Sequence, residues 1–282
     1  MLTRFAPSPT GELHLGHAYS AVLAHGAARA ANGRFLLRID DIDGSRSRED
    51  YVAASLADLA WLGLDWDGDP VRQSAHLARY AAALGDLRLR ALVYPCFCTR
   101  ADIAASLAAP HGPSGTIYPG TCRHLSEAER DRLAAEPHAW RLDMARAVAL
   151  AGELRWEEQG RGMRVADPSA HGDIVLARKD APASYHLAST LDDAAMGVTH
   201  VIRGADLIAS TDVHRLLQAL LGLPTPVYRH HGLVCGADGK RLAKRDAAAS
   251  LAALRGAGVD GPALAADLLG RRLPAGYSLQ IP

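Results

Sequence analysis

The chain has 282 residues, of which 49% are hydrophobic and 22% are charged, a composition typical of globular domains and not of disordered chains. The 31 Lys and Arg residues balance 31 Asp and Glu residues, so no strong global charge attracts the protein to nucleic acid or to an anionic membrane. No apolar run reaches the roughly 18 residues of a membrane span and no secretory leader is visible, so we expect a cytoplasmic protein without a membrane partner.

The first third of the chain has the pattern of a parallel βαβ unit. Residues 2–6 and 34–39 are predicted strands, and residues 13–31, rich in alanine and other helix formers, are predicted to form the helix between them. Apolar residues spaced by three and four predict a second helix over 52–62, and residues 75–92 are a third predicted helix. This order of elements favours an α/β fold with a parallel sheet.

The character of the sequence changes after the third predicted helix. Cysteines, prolines and glycines predict a loop-rich insertion over residues 96–180, whose core is too small to be stable without a staple. The α/β pattern returns with predicted strands at 198–202 and 227–235 and a predicted helix at 212–221. Residues 247–269 have a helical pattern that two glycines interrupt.

A histidine motif lies between the first predicted strand and helix. His14 and His17 are three residues apart, so they share one face of the first helical turn and could donate hydrogen bonds to a triphosphate. A helix start binds phosphate well, and Gly16 would let a purine or ribose approach the backbone. Alone, such a pair is more typical of two surface histidines, and the motifs around it decide in favour of a nucleotide site.

Four motifs resemble those of class I glutamyl-tRNA synthetases. The segment R-F-A-P-S-P-T-G at 4–11, followed by H-L-G-H at 14–17, is similar to the opening of that family and to its HIGH signature. R-I-D-D-I-D at 38–43, V-I-R-G-A-D-L at 201–207 and R-L-A-K-R at 241–245 resemble R-I-E-D-x-D, V-x-R-G-x-D-L and a degenerate KMSKS loop. The resemblance implies a Rossmann-like class I catalytic domain that uses ATP with Mg²⁺.

The same resemblance assigns the site residues. A glutamate pocket needs arginines for the two carboxylates and an acid for the ammonium, and these contacts fall on Arg4, Ser8, Asp40, Tyr185 and Arg203, with Asp40 standing where the family usually has Glu. The implied catalytic residues are His14, His17 and Lys244, and the implied ATP-binding residues are Phe5, Ala6, Pro7, His14, Gly16, His17 and Lys244. Arg241 and Ala243 replace a lysine and a serine of the loop signature, so the loop keeps its charge and loses a hydroxyl.

Three of the four cysteines point to a metal. Cys96, Cys98 and Cys122 can supply three corners of a tetrahedral zinc site. His111 and His124 are the usual chemical candidates for the fourth corner, whereas the resemblance gives that role to Tyr118. We expect one structural Zn²⁺ per chain, since all four corners are then filled by protein.

Residues after the KMSKS-like loop are too few for an anticodon-binding domain. This shortening resembles the glutamyl-Q tRNA(Asp) synthetases, paralogues that attach glutamate to queuosine in the anticodon of tRNA(Asp). We predict residues 1–95 and 181–246 as two catalytic halves, 96–180 as a zinc-bearing, acceptor-binding-like insertion and 247–282 as a short helical tail. The expected partners of this monomer are glutamate, ATP and tRNA(Asp) bearing queuosine; the alternatives are a truncated glutamyl-tRNA synthetase charging tRNA(Glu) and a non-catalytic paralogue.

Overall fold

The helices and strands alternate in the order that the βαβ pattern predicts. A computed structural model describes residues 1–99, 102–103, 117–240, 242 and 250–280. In these ranges the helices are α1 (Leu15–Ala30), α2 (Glu49–Trp61), α3 (Leu77–Leu89), α4 (Glu127–Leu133), α5 (Met144–Ala151), α6 (Tyr185–Ala195), α7 (Ile208–Leu220), α8 (Leu251–Gly256) and α9 (Gly261–Leu269). The strands are β1 (Leu2–Phe5), β2 (Arg34–Ile39), β3 (Val71–Arg72), β4 (Val93–Cys96), β5 (Ala139–Leu142), β6 (Arg155–Glu158), β7 (Gly162–Val165), β8 (Val175–Ala177), β9 (His200–Gly204), β10 (Val227–His231), β11 (Leu233–Cys235) and β12 (Ser278–Gln280).

The N-terminal sheet is parallel, with the strand order β1-β2-β3. Helix α1 forms the crossover, and its buried residues Leu15, Ala18, Tyr19 and Val22 recur at the spacing of one helical face. They pack in a core with Phe35 and other apolar residues of the sheet. The predicted α/β fold of the first third is therefore confirmed.

The second sheet has the order β7-β6-β10-β9, and β9 and β10 run parallel in continuous register. It meets the first sheet at Thr199, whose backbone N–H donates to the Leu2 carbonyl over 3.0 Å and whose Oγ1 accepts from the Leu2 N–H over 2.8 Å. The carboxyl ends of β1, β2, β9 and β10 therefore meet along one edge, which is where ligands bind in open parallel sheets.

Part of the predicted insertion belongs to this second sheet. Strand β6 pairs parallel with β10 through Glu158 and Tyr228, and it forms an antiparallel hairpin with β7. The remaining strands of the insertion form the antiparallel sheet β4-β5-β8. A second apolar core joins that sheet to α3, α5, α6 and α7.

Two predicted elements differ from the structure. The predicted strand 227–235 is split at Gly232, where the chain approaches so closely that a Cβ atom would lie 2.7 Å from the Gln280 carbonyl oxygen. The predicted helical tail also contains a strand, since β12 returns to pair antiparallel with β11. The sequence analysis did not predict α6, which Ser184 caps by accepting a hydrogen bond from the Leu187 N–H.

No helix within the described ranges is both long and apolar enough to cross a membrane.

Candidate active site

The described residues predicted for ATP and glutamate all line one cavity of about 490 Å³. It opens at the carboxyl ends of β1, β2, β9 and β10, beside the start of α1. The predicted residues on its wall are Arg4, Phe5, Ala6, Pro7, Ser8, His14, Gly16, His17, Asp40, Tyr185 and Arg203. Lys244, Arg241 and Ala243 lie outside the described residues, although Leu242, two positions before Lys244, lines the cavity.

The start of helix α1 holds both motif histidines in defined orientations. His14 is the N-cap residue, and its Nδ1 accepts from the Gly16 backbone N–H over 3.1 Å. The Nδ1 of His17 accepts from the His14 backbone N–H, also over 3.1 Å, and the two ring centroids are 3.8 Å apart. Because both Nδ1 atoms accept, the proton of each neutral ring is on Nε2. The helix start thus presents ring N–H donors beside its own positive end.

Gly16 has a structural role that its spacing alone did not predict. A Cβ atom at this position would lie 3.0 Å from Cε1 and 3.2 Å from Nδ1 of the His14 ring. Any larger residue would therefore displace the imidazole that caps the helix. The same Cβ would also reach Val234 on the opposite wall of the cavity at 4.0 Å.

Four charged side chains form an alternating chain along one wall. Arg4 contacts Asp193 through Nε at 2.9 Å and Nη2 at 3.2 Å. Arg38 donates from Nη1 to Asp193 at 2.6 Å and from Nε to Asp40 at 2.6 Å. The order of charges is positive, negative, positive, negative, so each buried ion has a partner of opposite sign.

The pKa values of the two carboxylates, Asp193 and Asp40, are shifted in opposite directions. Burial favours a higher pKa for Asp193, but the guanidinium groups of Arg4 and Arg38 outweigh it and hold the pKa below its usual value. Burial raises the pKa of Asp40, and Arg38 offsets this effect only in part. No described residue accepts a hydrogen bond from Nη1 of Arg4, so this group is available to a ligand carboxylate in the cavity.

Arg203 is buried and its five N–H donors all have partners. Nε donates to His230 at 3.2 Å, and Nη1 donates to His214 at 3.2 Å and to the Tyr185 hydroxyl at 3.3 Å. Nη2 donates to the Leu207 carbonyl at 3.1 Å and to Thr211 Oγ1 at 2.7 Å. None of these partners is a carboxylate, although a buried guanidinium is most stable beside an anion.

The two imidazoles against Arg203 are neutral. Burial and then the Arg203 charge lower the pKa of His230 to about 4, despite the opposing effect of Glu158. The same two causes, in the same order, hold the pKa of His214 well below its usual value. The guanidinium therefore keeps its charge among neutral groups, and Tyr185, which is 40% exposed, is its partner nearest to solvent.

Sequence reasoning missed several residues of this site. Asp193 was not singled out, and Arg38 was noted only as part of a motif. Ser20 and His231 also line the cavity, with Ser20 Oγ and His231 Nε2 2.8 Å apart. Asp43 belongs to the same motif as Asp40 but is not among the residues that line the cavity, and it contacts Arg46 at 2.7 Å.

The three clustered cysteines form a separate centre that fits a metal ion. Their Sγ atoms all lie within 4.8 Å of one another, and those of Cys98 and Cys122 are 3.5 Å apart. The Tyr118 hydroxyl is 3.4 Å from Cys96 Sγ and 3.6 Å from Cys98 Sγ. Two thiolates on one tetrahedral zinc are about 3.8 Å apart, given a Zn–S bond of about 2.3 Å, so these four atoms fit one small ion.

The fourth corner of that centre was left open between histidine and tyrosine. His124 is exposed and is not part of the described cluster, and His111 lies outside the described residues. The Tyr118 oxygen also accepts from the Cys122 backbone N–H over 2.8 Å. These contacts favour Tyr118 among the described candidates.

Comparison with known proteins places the chain in a family. Residues 1–273 match the model of the family described as tRNA synthetases class I (E and Q), catalytic domain. The chain belongs to this family. A glutamyl-Q tRNA(Asp) synthetase of Rhodobacter capsulatus is 52% identical to this class I synthetase. The alignment covers 92% of the present chain and 96% of the relative. One of Symbiobacterium thermophilum is 45% identical, covering 90% and 81% of the two chains.

Solved structures of related synthetases have the same fold. The glutamate-tRNA synthetase of Elizabethkingia anophelis superposes on this class I synthetase with a TM-score of 0.73 and 29% identity. The superposition covers 87% of the present chain and 53% of that structure. The chain thus spans about half the length of that solved synthetase, and it spans nearly the full length of the Rhodobacter relative.

Proposed function

We propose that this class I synthetase activates glutamate with ATP and Mg²⁺ to glutamyl-adenylate and then transfers the glutamyl group to queuosine in tRNA(Asp). The observation that carries the proposal is the single cavity that contains both a phosphate-binding helix start and three buried arginines. The printed name of the Rhodobacter capsulatus relative supports the acceptor, since it is 52% identical and is covered over 96% of its length.

The arginines of the cavity fit the two carboxylates of glutamate. Arg4 offers Nη1, and Arg203 is a cation without a direct carboxylate partner among the described residues. Tyr185 accepts from Arg203, so its own O–H can donate to a bound carboxylate while the guanidinium polarises it. Asp40 stands on the wall as the acid for the ammonium, and Ser8 lines the same region.

The start of helix α1 fits the phosphates of ATP. The α-carboxylate of glutamate attacks the α-phosphorus, the bond to the bridging oxygen breaks, and pyrophosphate leaves with the electron pair. Ring N–H groups of His14 and His17 would donate to the phosphate oxygens as charge shifts towards pyrophosphate. Mg²⁺ bound with ATP would neutralise part of the phosphate charge. Lys244 is proposed as the mobile cation that acts on the same phosphates.

The cysteine centre fits a structural zinc ion. Cys96, Cys98, Cys122 and Tyr118 would hold it, and Zn²⁺ would supply a rigid link between the end of β4 and the turn at 118–122. We place no step of the reaction at this centre, because all four corners would be filled by protein.

A row of planar side chains gives the tRNA a surface on which to dock. Phe97, His138 and Trp140 have successive ring centroids 5.4 and 5.0 Å apart, and the Arg88 guanidinium lies 4.2 Å from the Trp140 ring centroid. The Lys179 ammonium donates to the Phe97 carbonyl at 3.0 Å. Unpaired bases stack on such rings, and the flanking cations attract the phosphates.

One ion pair connects the segment beside the row to the segment that follows the cavity wall. Arg178, next to Lys179 in the chain, lies 3.6 Å from Asp43, which follows the wall residue Asp40 by three positions. A tRNA loop on the row would therefore lie beside the site in which the adenylate forms. Arg88 and Lys179 beside the row supply local positive charge, whereas Arg178 is paired with Asp180 and Asp43.

The acceptor is tested by incubating the protein with radiolabelled glutamate, ATP and either tRNA(Asp) or tRNA(Glu), each with and without queuosine. We expect label only on queuosine-containing tRNA(Asp), from a protein that we propose to be a monomer. Label only on tRNA(Glu) would instead identify a truncated glutamyl-tRNA synthetase. An absence of glutamate-dependent ATP–pyrophosphate exchange under all conditions would identify a non-catalytic paralogue.

A further inference from the structure

Glu158 is a buried carboxylate directly behind the glutamate pocket. It lies in β6, is 3% exposed and does not line the cavity. Its Oε1 accepts from the His230 backbone N–H at 2.8 Å, and its Oε2 contacts His230 Nδ1 at 2.6 Å. Glu158 thus binds both donors that one histidine offers on this side.

The contact with Glu158 fixes the tautomer of the imidazole. An ionised carboxylate can only accept, so His230 carries its proton on Nδ1. Its Nε2 then has a lone pair, which accepts from Nε of Arg203 at 3.2 Å. The hydrogen bonds therefore run in one direction, from Arg203 to His230 and from His230 to Glu158.

This chain of bonds sets the plane of the Arg203 guanidinium. Nε is held by the buried His230, and Nη2 is held by the Leu207 carbonyl and the buried Thr211, so three of the five donors are fixed by groups other than those that face Nη1. Nη1 faces His214 and the Tyr185 hydroxyl, the partner on the cavity wall. A rotation of the His230 ring would therefore move Nη1 and the Tyr185 hydroxyl that Nη1 holds at the cavity wall.

We propose that Glu158 is a positioning residue that acts through His230 to orient Arg203 for the carboxylate of glutamate. The negative charge of Glu158 also offsets the positive charge of the buried Arg203 guanidinium, with the neutral His230 ring between them. In other sites a carboxylate behind a histidine orients the ring in a similar way. The proposal rests on the proposed function in one respect, since it takes Arg203 and the Tyr185 hydroxyl that it holds as part of the site for the substrate carboxylate. It makes a segment of the predicted insertion part of the amino-acid site.

Glutamine at position 158 would preserve the shape of the Glu158 side chain, but its amide NH₂ group would place a donor where the carboxylate has an acceptor. If its oxygen accepts from His230 Nδ1, its NH₂ group faces the His230 backbone N–H, and two donors oppose each other. If the amide is flipped, its NH₂ group donates to Nδ1, the ring proton moves to Nε2, and that N–H opposes the N–H of Arg203. Either arrangement loses one buried hydrogen bond of this relay, the chain of bonds from Arg203 through His230 to Glu158.

The test compares Glu158→Gln with Glu157→Gln, an exposed neighbour on the same strand, in glutamate-dependent ATP–pyrophosphate exchange. We expect Glu158→Gln to raise KM for glutamate by about tenfold or more, the loss typical of an orienting partner, with KM for ATP within about twofold of the unmodified protein. Glu158→Asp, which retains a carboxylate, should recover part of the loss. Glu157→Gln should change neither constant.

Nitrogen-15 NMR of the histidine side chains provides a readout that does not need activity. His230 should be neutral with its proton on Nδ1, and Glu158→Gln should shift the resonances of that ring and spare those of His25. Finding the His230 proton on Nε2 in the unmodified protein would overturn the proposal. An unchanged KM for glutamate, or equal rises in both KM values with a large fall in Tm, would also overturn it. If the unmodified protein shows no exchange, the proposed function fails, and the NMR result still decides the relay.

Discussion

His14 serves the fold and the chemistry with different atoms of one ring. Its Nδ1 caps helix α1 through the Gly16 N–H, so the ring cannot rotate without exposing a helix donor. This capping contact therefore fixes the direction in which the Nε2–H of His14 points. Spacing could predict that His14 and His17 share a face of the helix, but the capping contacts that fix both tautomers needed the structure.

Gly16→Ala should therefore reduce catalysis by moving the His14 ring. The new methyl group would lie 3.0 Å from the imidazole, closer than ordinary contact. We expect kcat for ATP–pyrophosphate exchange to fall by about 100-fold, the cost of losing one aligned donor to a developing charge, with KM for glutamate little changed. Gly85→Ala in α3 is the matched control, because a Cβ there meets nothing within 4 Å. Equal exchange rates in the two variants would contradict this account.

Helices α2 and α8 are joined by an ion pair whose carboxylate is buried. Asp58 of α2 has no exposed surface, and Arg255 of α8 approaches its Oδ1 to 3.2 Å. Burial raises the pKa of Asp58 from 3.8 to about 6, an effect that Arg255 only partly opposes. The tail that follows the KMSKS-like loop is thus attached to the catalytic core by an ionisable contact.

The stability of the protein should depend on pH through Asp58. Its pKa is higher in the folded state than in the unfolded state, so the folded chain holds the proton more tightly between about pH 4 and pH 6. This contribution to the free energy of unfolding is present at the acid end and is lost as pH rises through about 6. Asp58→Asn should flatten the pH dependence measured by urea unfolding, whereas Asp69→Asn, at an exposed site, should leave it unchanged. A slope that survives Asp58→Asn would contradict the assignment.

The proposed metal would link the end of strand β4 to the turn at 118–122. Removing zinc with a chelator should lower Tm by about 5 °C or more, because the cluster lies among few other apolar residues. Cys98→Ser should reduce the zinc content from about one per chain to a small fraction, as measured by atomic emission. Cys235→Ser changes the one cysteine outside the cluster and should retain the metal. Full zinc content in Cys98→Ser would show that the ligands are wrong.

The sequence could predict elements whose signals are local. Short strand-like segments and a stretch rich in helix formers located β1, α1 and β2, and the motifs located many of the residues that line the cavity. Asp193 could not be found in this way, since it meets Arg4 and Arg38 across 189 and 155 positions of the chain. Glu158 likewise meets His230 across 72 positions, and nothing in a short strand distinguishes a buried carboxylate from an exposed one.

At the scale of the whole molecule, the contacts that we propose for RNA lie on one surface of a chain with no net charge. Trp140→Ala removes the largest ring of the planar row and should weaken tRNA binding by about tenfold, since stacking on one aromatic ring contributes about 1–3 kcal/mol. Glutamate-dependent ATP–pyrophosphate exchange measured without tRNA should not change. Met163→Ala, at an exposed site on β7, serves as the control. Binding that is unaffected by Trp140→Ala would place the tRNA elsewhere.

The central claim is that one nucleotide lies between the start of helix α1 and the KMSKS-like segment, with glutamate held beside it. A crystal structure with a non-hydrolysable glutamyl-adenylate analogue tests this most directly. We predict that its phosphate contacts His14 and His17, that Lys244 approaches the same phosphate, and that the glutamyl carboxylate contacts Arg4 and Tyr185. An analogue bound outside this cavity, or bound in it with its phosphate remote from both histidines, would contradict the account.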